Sequence, residues 1–393
     1  MTGSPAVVAG YARTPFARWL GALGTVPATT LGAAAITAAL SRAGVAPGDV
    51  GAVVGGQALQ AAAGQNPARQ AAVGAGIPLT VPAWTLNAVC LSGLEAVVQA
   101  DRLIRTGEHD VVVAVGQESM SSAPHALPGS RRGTPFGATE FVDLVQHDGL
   151  RDAFDGRAMG EAADAVNADL GIDRAAQDEW AARSHQRAAA SRDLLAEEVV
   201  PVAVPGRRGT TTVGEDDGVR DDTTLEALSR LRPAFAPTGT VTAGNASQLT
   251  DGAAALVLVS ARYAQRADVR RLAEVVAHAT VAGPDTTLHA QPANALRAAL
   301  ERSGTATADL RHVELNEAFA AVALHSTRLL GLDHAVVNPH GGAVALGHPL
   351  GASGARIAGH LALRLHRGGP GHHGAASLCG GGGQGTALVL RSV

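Results

Sequence analysis

The chain of 393 residues is 46% apolar and 17% charged, which is enough for two or three domain-sized units around a buried core and excludes a disordered polypeptide. A formal net charge of −4 gives no electrostatic case for a nucleic-acid partner, and the 31 basic residues are all arginine, read as genomic base composition. No apolar run is long enough to read as a membrane span, the start "MTGSPAVVAGYARTP" lacks a signal-peptide pattern, and 2 cysteines make no secreted disulfide framework. A cytoplasmic protein with no membrane partner is expected.

In chain order, the run "AVVAGYA" is predicted as a buried strand, "TTLGAAAITAALSRAG" as an amphipathic helix and "VGAVVGGQAL" as a second strand. Next, "NAVCLSGLEAVVQADRLIRTG" sets Cys90 just before Ser92-Gly93, which opens a helix ending at Gly107, and the strand "DVVVAVG" follows. From about Gln117 to Thr250 the texture turns richer in charge and proline, as an inserted loop region would. Beyond it the earlier phrase recurs. Ser353-Gly354 opens "ARIAGHLALRLHRG", which ends at Gly368, and the strand "GAASLCG" follows. Gly107 and Gly368 each stand 14 residues past Gly93 and Gly354, which points to an internal duplication in an α/β fold.

The second thiol, Cys379, lies in "SLCGGGGQGTALVL". The glycine run is not a dinucleotide fingerprint, because too little chain follows for a helix, a strand and a ribose-binding acid. It does leave backbone N–H groups free to face a ligand. His348 sits in the Gly-rich turn "GHPLGASG", and Asn316 and Glu317 sit between a short strand and an apolar helix. Singly, these read as well as a structural histidine and a helix cap. Together they outline thiol chemistry: a nucleophilic cysteine at a helix N-terminus, an imidazole to activate it, and a second thiol for proton transfer. Asn and glycine N–H groups can hold an oxyanion. No CxxC or HxxxH spacing is present, so no metal site is expected.

The motifs "ARTPF", "GQNPARQAA", "VCLSGLEAV", "GQESMSSAP", "DGLRDAFDG", "RPAFAPTGTVTAGNASQLTDGAA", "NEAFA", "GHPLGASGAR" and "CGGGGQG" stand in order along the chain. It resembles the thiolases, the acetyl-CoA C-acetyltransferase family, over essentially its whole length. The resemblance implies duplicated βαβαβαββ halves in a five-layer αβαβα arrangement. The division implied is 1–116 for the first half, 117–250 for an inserted loop domain, 251–270 for the rest of the first half and 271–393 for the second. It further implies that Cys90 is acylated, that His348 activates it, and that Cys379 moves a proton at the α-carbon. Asn316 would position a water for one oxyanion hole, shared with His348, and the N–H groups of Cys90 and Gly380 would form the other. Arg220 and Ser247 match positions that contact coenzyme A, and Arg207, Arg208, Arg230 and Arg232 could add charge. Coenzyme A would be substrate and product, with no tightly bound cofactor, and the chain would form a homodimer or homotetramer.

Three departures bear on substrate. Leu91 replaces a common glycine and could either crowd the thiol or pack behind the turn; Ala158 stands where many short-chain members carry histidine; and "LHAQP", with Leu288, His289 and Gln291, replaces a Met-Gly-x-Gly-Pro turn. A four-carbon 3-ketoacyl-CoA is the expected substrate, on "DGLRDAFDG" and on crowding by Leu91. The alternatives are a longer-chain 3-ketoacyl-CoA thiolase and a non-catalytic acyl-CoA binding protein.

Overall fold

A computed structural model describes residues 4–134, 136–207, 209–267 and 269–393. The first half supplies β1 (Val7–Arg13), α1 (Ala28–Ala43), β2 (Ala52–Gly56), β3 (Ala83–Leu86), α2 (Ser92–Arg105) and β4 (Val111–Ser119). A long excursion containing α3 (Arg174–Ala190) then returns the chain as β5 (Thr250–Val259). The second half supplies β6 (Ala273–Ala282), α4 (Gln291–Ser303), β7 (Leu310–Leu315), α5 (Ala320–Leu330), α6 (Leu350–Gly368), β8 (His373–Gly380) and β9 (Gln384–Ser392).

The strands form one sheet in the order β7-β8-β9-β6-β1-β5-β4-β2-β3. Read outward from the β1–β6 junction, the two halves repeat one another. β2 runs parallel to β3 and β4, and β7 runs parallel to β8. Where the counterpart of β3 would stand, Val337 makes a parallel bridge to Val313. The halves join through Val7 opposite Glu274 and Val8 opposite Ala273. β4 and β5 are buried along their whole length, which is why they read as nearly unbroken apolar runs instead of alternating ones.

Five layers follow from which faces are apolar. α2 and α6 lie together at the centre, where Val97, Ile357 and Leu361 pack with Val112 and Leu256 of one half and Leu378 and Leu388 of the other. α1 covers the outer face of the first half through Leu31 and Ile36. α4 and α5 cover that of the second through Leu296 and Leu324. The repeated Ser-Gly pairs meet where α2 crosses α6. A Cβ on Gly354 would lie 2.2 Å from the Leu94 nitrogen, and one on Gly93 would lie 2.5 Å from the Gly351 carbonyl oxygen. Only glycine permits so close a backbone approach. The second helix begins at Leu350, ahead of the expected Ser353, because the extended Pro349 caps it.

In the excursion, short strands pair with each other, His125–Ala126 with Val142–Asp143 and Val202–Gly206 with Gly209–Val213. Glu317 fastens α3 to the core. Its carboxylate accepts from Trp180 Nε1 at 2.9 Å, Ser184 Oγ at 2.7 Å, Asn338 Nδ2 at 2.8 Å and the Val344 N–H at 3.1 Å. Four donors on one buried carboxylate make this acid a structural anchor, a role its sequence context did not announce.

Candidate active site

Cys90 stands in the turn between β3 and α2 and faces a cavity of about 130 Å³. The residue before it, Val89, has φ 53°, a left-handed conformation that β-branched side chains avoid. Two neighbours hold it there. Asn87 Oδ1 accepts the Val89 N–H at 2.8 Å; Ser92 Oγ accepts the Ala88 N–H at 2.9 Å and donates to the Val89 carbonyl at 2.7 Å. Burial pushes the thiol up to about 11, opposed by the N–H groups of Gly381 and of Cys90 itself, which favour the thiolate. At neutral pH the resting group is therefore a thiol that needs a base.

His348 is suited to that task. Burial, with the Arg356 charge adding to it, pushes the imidazole down to about 4, so it is neutral at pH 7 and able to accept a proton. Nδ1 lies 2.5 Å from Ser353 Oγ, and that hydroxyl donates to the Pro349 carbonyl at 2.9 Å. With the hydroxyl hydrogen so used, Nδ1 carries the ring hydrogen and Nε2 the free lone pair; this tautomer is assigned from the hydrogen-bond network. Asn316, at the end of β7, places Nδ2 3.5 Å from both ring nitrogens, and its buried Oδ1 has no protein partner among the described residues. Cys379, at the end of β8, lines the same cavity. Burial, and then the charge of Cys90, hold its thiol far above the ordinary range. Cys90 and Asn316 thus follow, and Cys379 lies at, the carboxyl ends of parallel strands, where open α/β sheets place their ligands.

The remaining expected residues divide. Gly380 and Ser247 line the cavity. Ser247 Oγ donates to the Ala318 carbonyl at 3.0 Å, so it can only accept from a ligand. Arg220 is exposed, lies outside the cavity wall, and fixes its backbone N–H on His185 Nδ1 at 3.2 Å. Arg207, Arg230 and Arg232 are exposed, and Arg208 lies outside the described residues. Leu91 corrects the crowding expectation: it is fully buried, packs behind the turn against Gly380, and does not line the cavity. Within "LHAQP" only Leu288 faces the acyl region. His289 turns away to Asn167 Oδ1 at 2.9 Å, and Gln291 Nε2 donates to the Gly283 carbonyl at 2.9 Å.

Three functional groups escaped the sequence reading. Ser353 fixes the His348 ring, and a Gly381 N–H faces the Cys90 sulfur. Glu118 accepts the N–H groups of Ala58, Leu59 and Gly351 at 2.8–3.1 Å, joining β4 and the loop after β2 to the start of α6. Burial raises Glu118 to about 7. An acid closing a nine-residue buried strand was the available signal. Apart from Gln146 and Gln248 the remaining walls are mainly apolar, with Met159, Leu288 and the edge-to-face pair Phe235–Phe319, centroids 6.5 Å apart.

The chain is similar to known proteins over almost its whole length. The family models "Thiolase, N-terminal domain" and "Thiolase, C-terminal domain" match residues 6–262 and 269–392. A "Probable acetyl-CoA acetyltransferase" of Mycolicibacterium smegmatis is 53% identical over 98% of this chain and 100% of its own. An "Acetyl-CoA acetyltransferase" of Chromobacterium violaceum is 46% identical over 96% of this chain and 97% of its own. The crystal structure of the Bacillus anthracis acetyl-CoA acetyltransferase superposes with a TM-score of 0.96 at 38% identity, covering 100% of both chains.

Proposed function

The chain belongs to the thiolase family of acyltransferases, and on that footing we propose that it is an acetyl-CoA acetyltransferase working through an acyl-Cys90 intermediate. The observation that carries the proposal is the convergence of Cys90, His348 and Cys379 on one apolar cavity. His348 Nε2 takes the Cys90 proton as Sγ attacks the thioester carbonyl. The tetrahedral oxyanion collapses, and coenzyme A leaves as a thiol with the proton that His348 returns. His348, neutral again, takes the Cys379 proton, and the thiolate so formed removes an α-proton from a second acetyl-CoA. The resulting carbanion attacks the acyl carbonyl, the carbon–carbon bond forms, and the Cys90 thiolate departs and regains its proton from His348. Thiolysis of a 3-ketoacyl-CoA runs the same steps backward.

Oxyanion stabilisation falls to two donor sets, as preorganised dipoles in a dry site require. Asn316, with a water, and His348 form one; the N–H groups of Cys90 and Gly380 form the other. Coenzyme A enters as substrate and leaves as product, with Ser247 and Arg220 contacting it. A four-carbon 3-ketoacyl-CoA is the preferred substrate, supported now by relatives named for acetyl transfer and not by Leu91. The exposed Phe136 and Phe141 suit subunit contact in a homodimer or homotetramer, and the setting is cytoplasmic.

Incubation with acetyl-CoA followed by peptide mass analysis tests the reading. One acetyl group on the peptide carrying Cys90 is expected. Its absence favours an acyl-CoA binding protein without chemistry.

A further inference from the structure

Away from the cavity, three imidazoles from distant parts of the second half converge: His312 on β7, His340 in the loop before α6, and His360 on α6. One nitrogen from each ring lies within 4.8 Å of the others. We propose that these three histidines and Glu314 form a structural binding site for a divalent first-row metal ion, with zinc the fitting occupant.

The donor geometry is the first support. His340 Nδ1 lies 3.1 Å from His360 Nε2, Glu314 Oε1 lies 2.7 Å from His312 Nε2, and the same oxygen lies 3.9 Å from His360 Nε2. Ligands of a tetrahedral zinc ion, at bond lengths of about 2.0–2.1 Å, stand about 3.3 Å apart, inside that spread. Three imidazoles and one carboxylate are also a donor set that zinc accepts.

The groups behind the ligands are the second support. His360 Nδ1 pairs with Glu198, which leaves Nε2 directed at the cluster. A carboxylate on the far nitrogen is the arrangement that fixes the tautomer of metal-bound histidines. Glu198 is itself held by Tyr11 Oη at 3.0 Å, Arg13 Nε at 3.3 Å and Arg364 Nη2 at 3.3 Å. Arg356 Nη1 occupies Glu314 Oε2 at 3.0 Å and so turns Oε1 toward the three rings. His360 and Glu314 are fully buried, whereas His340 is half-buried and leaves a route for an ion to enter. The three histidines stand at least 20 residues apart along the chain and share no short motif, which is why spacing alone pointed away from metal. The site would tie β7, which Asn316 follows, to α6, which His348 precedes.

The test uses the full chain, stripped with a chelator and titrated with Co²⁺ as a spectroscopic probe and with Zn²⁺ by calorimetry. Cys90→Ser serves as a background free of that thiol. The expected result is one ion per chain, a tetrahedral cobalt spectrum without a thiolate charge-transfer band, and binding at least tenfold weaker in His340→Gln and His312→Gln. His340→Gln, at the half-buried position, should stay folded by circular dichroism and keep its acetyl-transfer activity. No binding by the wild-type chain would overturn the proposal and leave a purely hydrogen-bonded cluster. So would binding that both substitutions leave unchanged, or a cobalt spectrum dominated by thiolate.

Discussion

Replacing Ser353 by alanine isolates how the base is held. The hydroxyl sits 2.5 Å from His348 Nδ1 and spends its own hydrogen on the Pro349 carbonyl, so it accepts from the ring. When His348 takes the Cys90 proton the ring becomes a cation, and a hydrogen bond from a charged group contributes about 1.5–3 kcal/mol. At about 1.4 kcal/mol per tenfold, Ser353→Ala should lower kcat for thiolysis roughly 10- to 150-fold. KM should change little, because Ser353 does not line the acyl cavity. The assay follows loss of the 3-ketoacyl-CoA enolate absorbance, with circular dichroism as the check on folding. Ser353→Thr, which restores the hydroxyl, should recover much of the rate. A kcat within threefold of wild type, or a loss confined to KM, would refute the assigned tautomer.

Gly354→Ala drives a Cβ to 2.2 Å from the Leu94 nitrogen, so the helix crossing must open; a loss of about 3 kcal/mol or more is expected in urea unfolding, and a wild-type midpoint would contradict it. Cys379→Ala should leave acetylation of Cys90 intact while abolishing exchange of the α-protons of acetyl-CoA into deuterated water; loss of both would show that the two thiols do not divide the work. Because the Cys90 thiol is pushed up to about 11 and His348 down to about 4, alkylation of resting Cys90 by iodoacetamide should quicken about tenfold per pH unit from 7 to 9; a plateau near pH 7 would indicate a preformed thiolate–imidazolium pair. Ala158→His adds a ring to the cavity wall and should lower kcat/KM for acyl chains longer than four carbons by tenfold or more; an unchanged chain-length profile would place position 158 outside the acyl path.

Residues that act through a local phrase were legible in the sequence. Cys90 before a helix, the repeated Ser-Gly pairs and the buried strands β4 and β5 carry their structure in adjacent residues. What stayed hidden depends on contacts made at a distance. Leu91 reads the same whether its side chain faces the thiol or the core, and only the folded chain, which buries it against Gly380, settles its direction. Glu317 resembles a helix cap until Trp180 and Ser184 arrive from the excursion. The three histidines share no register at all, and only the packing of α6 and the loop carrying His340 against β7 brings them together.

The mirrored order of the sheet bears on how such a site could arise. α2 and α6 occupy equivalent places in the two halves, and the turn before one carries Cys90 while the turn before the other carries His348. The two groups come from matched elbows but not from matched positions: with Ser92 set on Ser353, Cys90 corresponds to Gly351 and His348 to Asn87. Within one polypeptide each elbow can differ from its twin, so a symmetric frame carries the asymmetry that the chemistry demands.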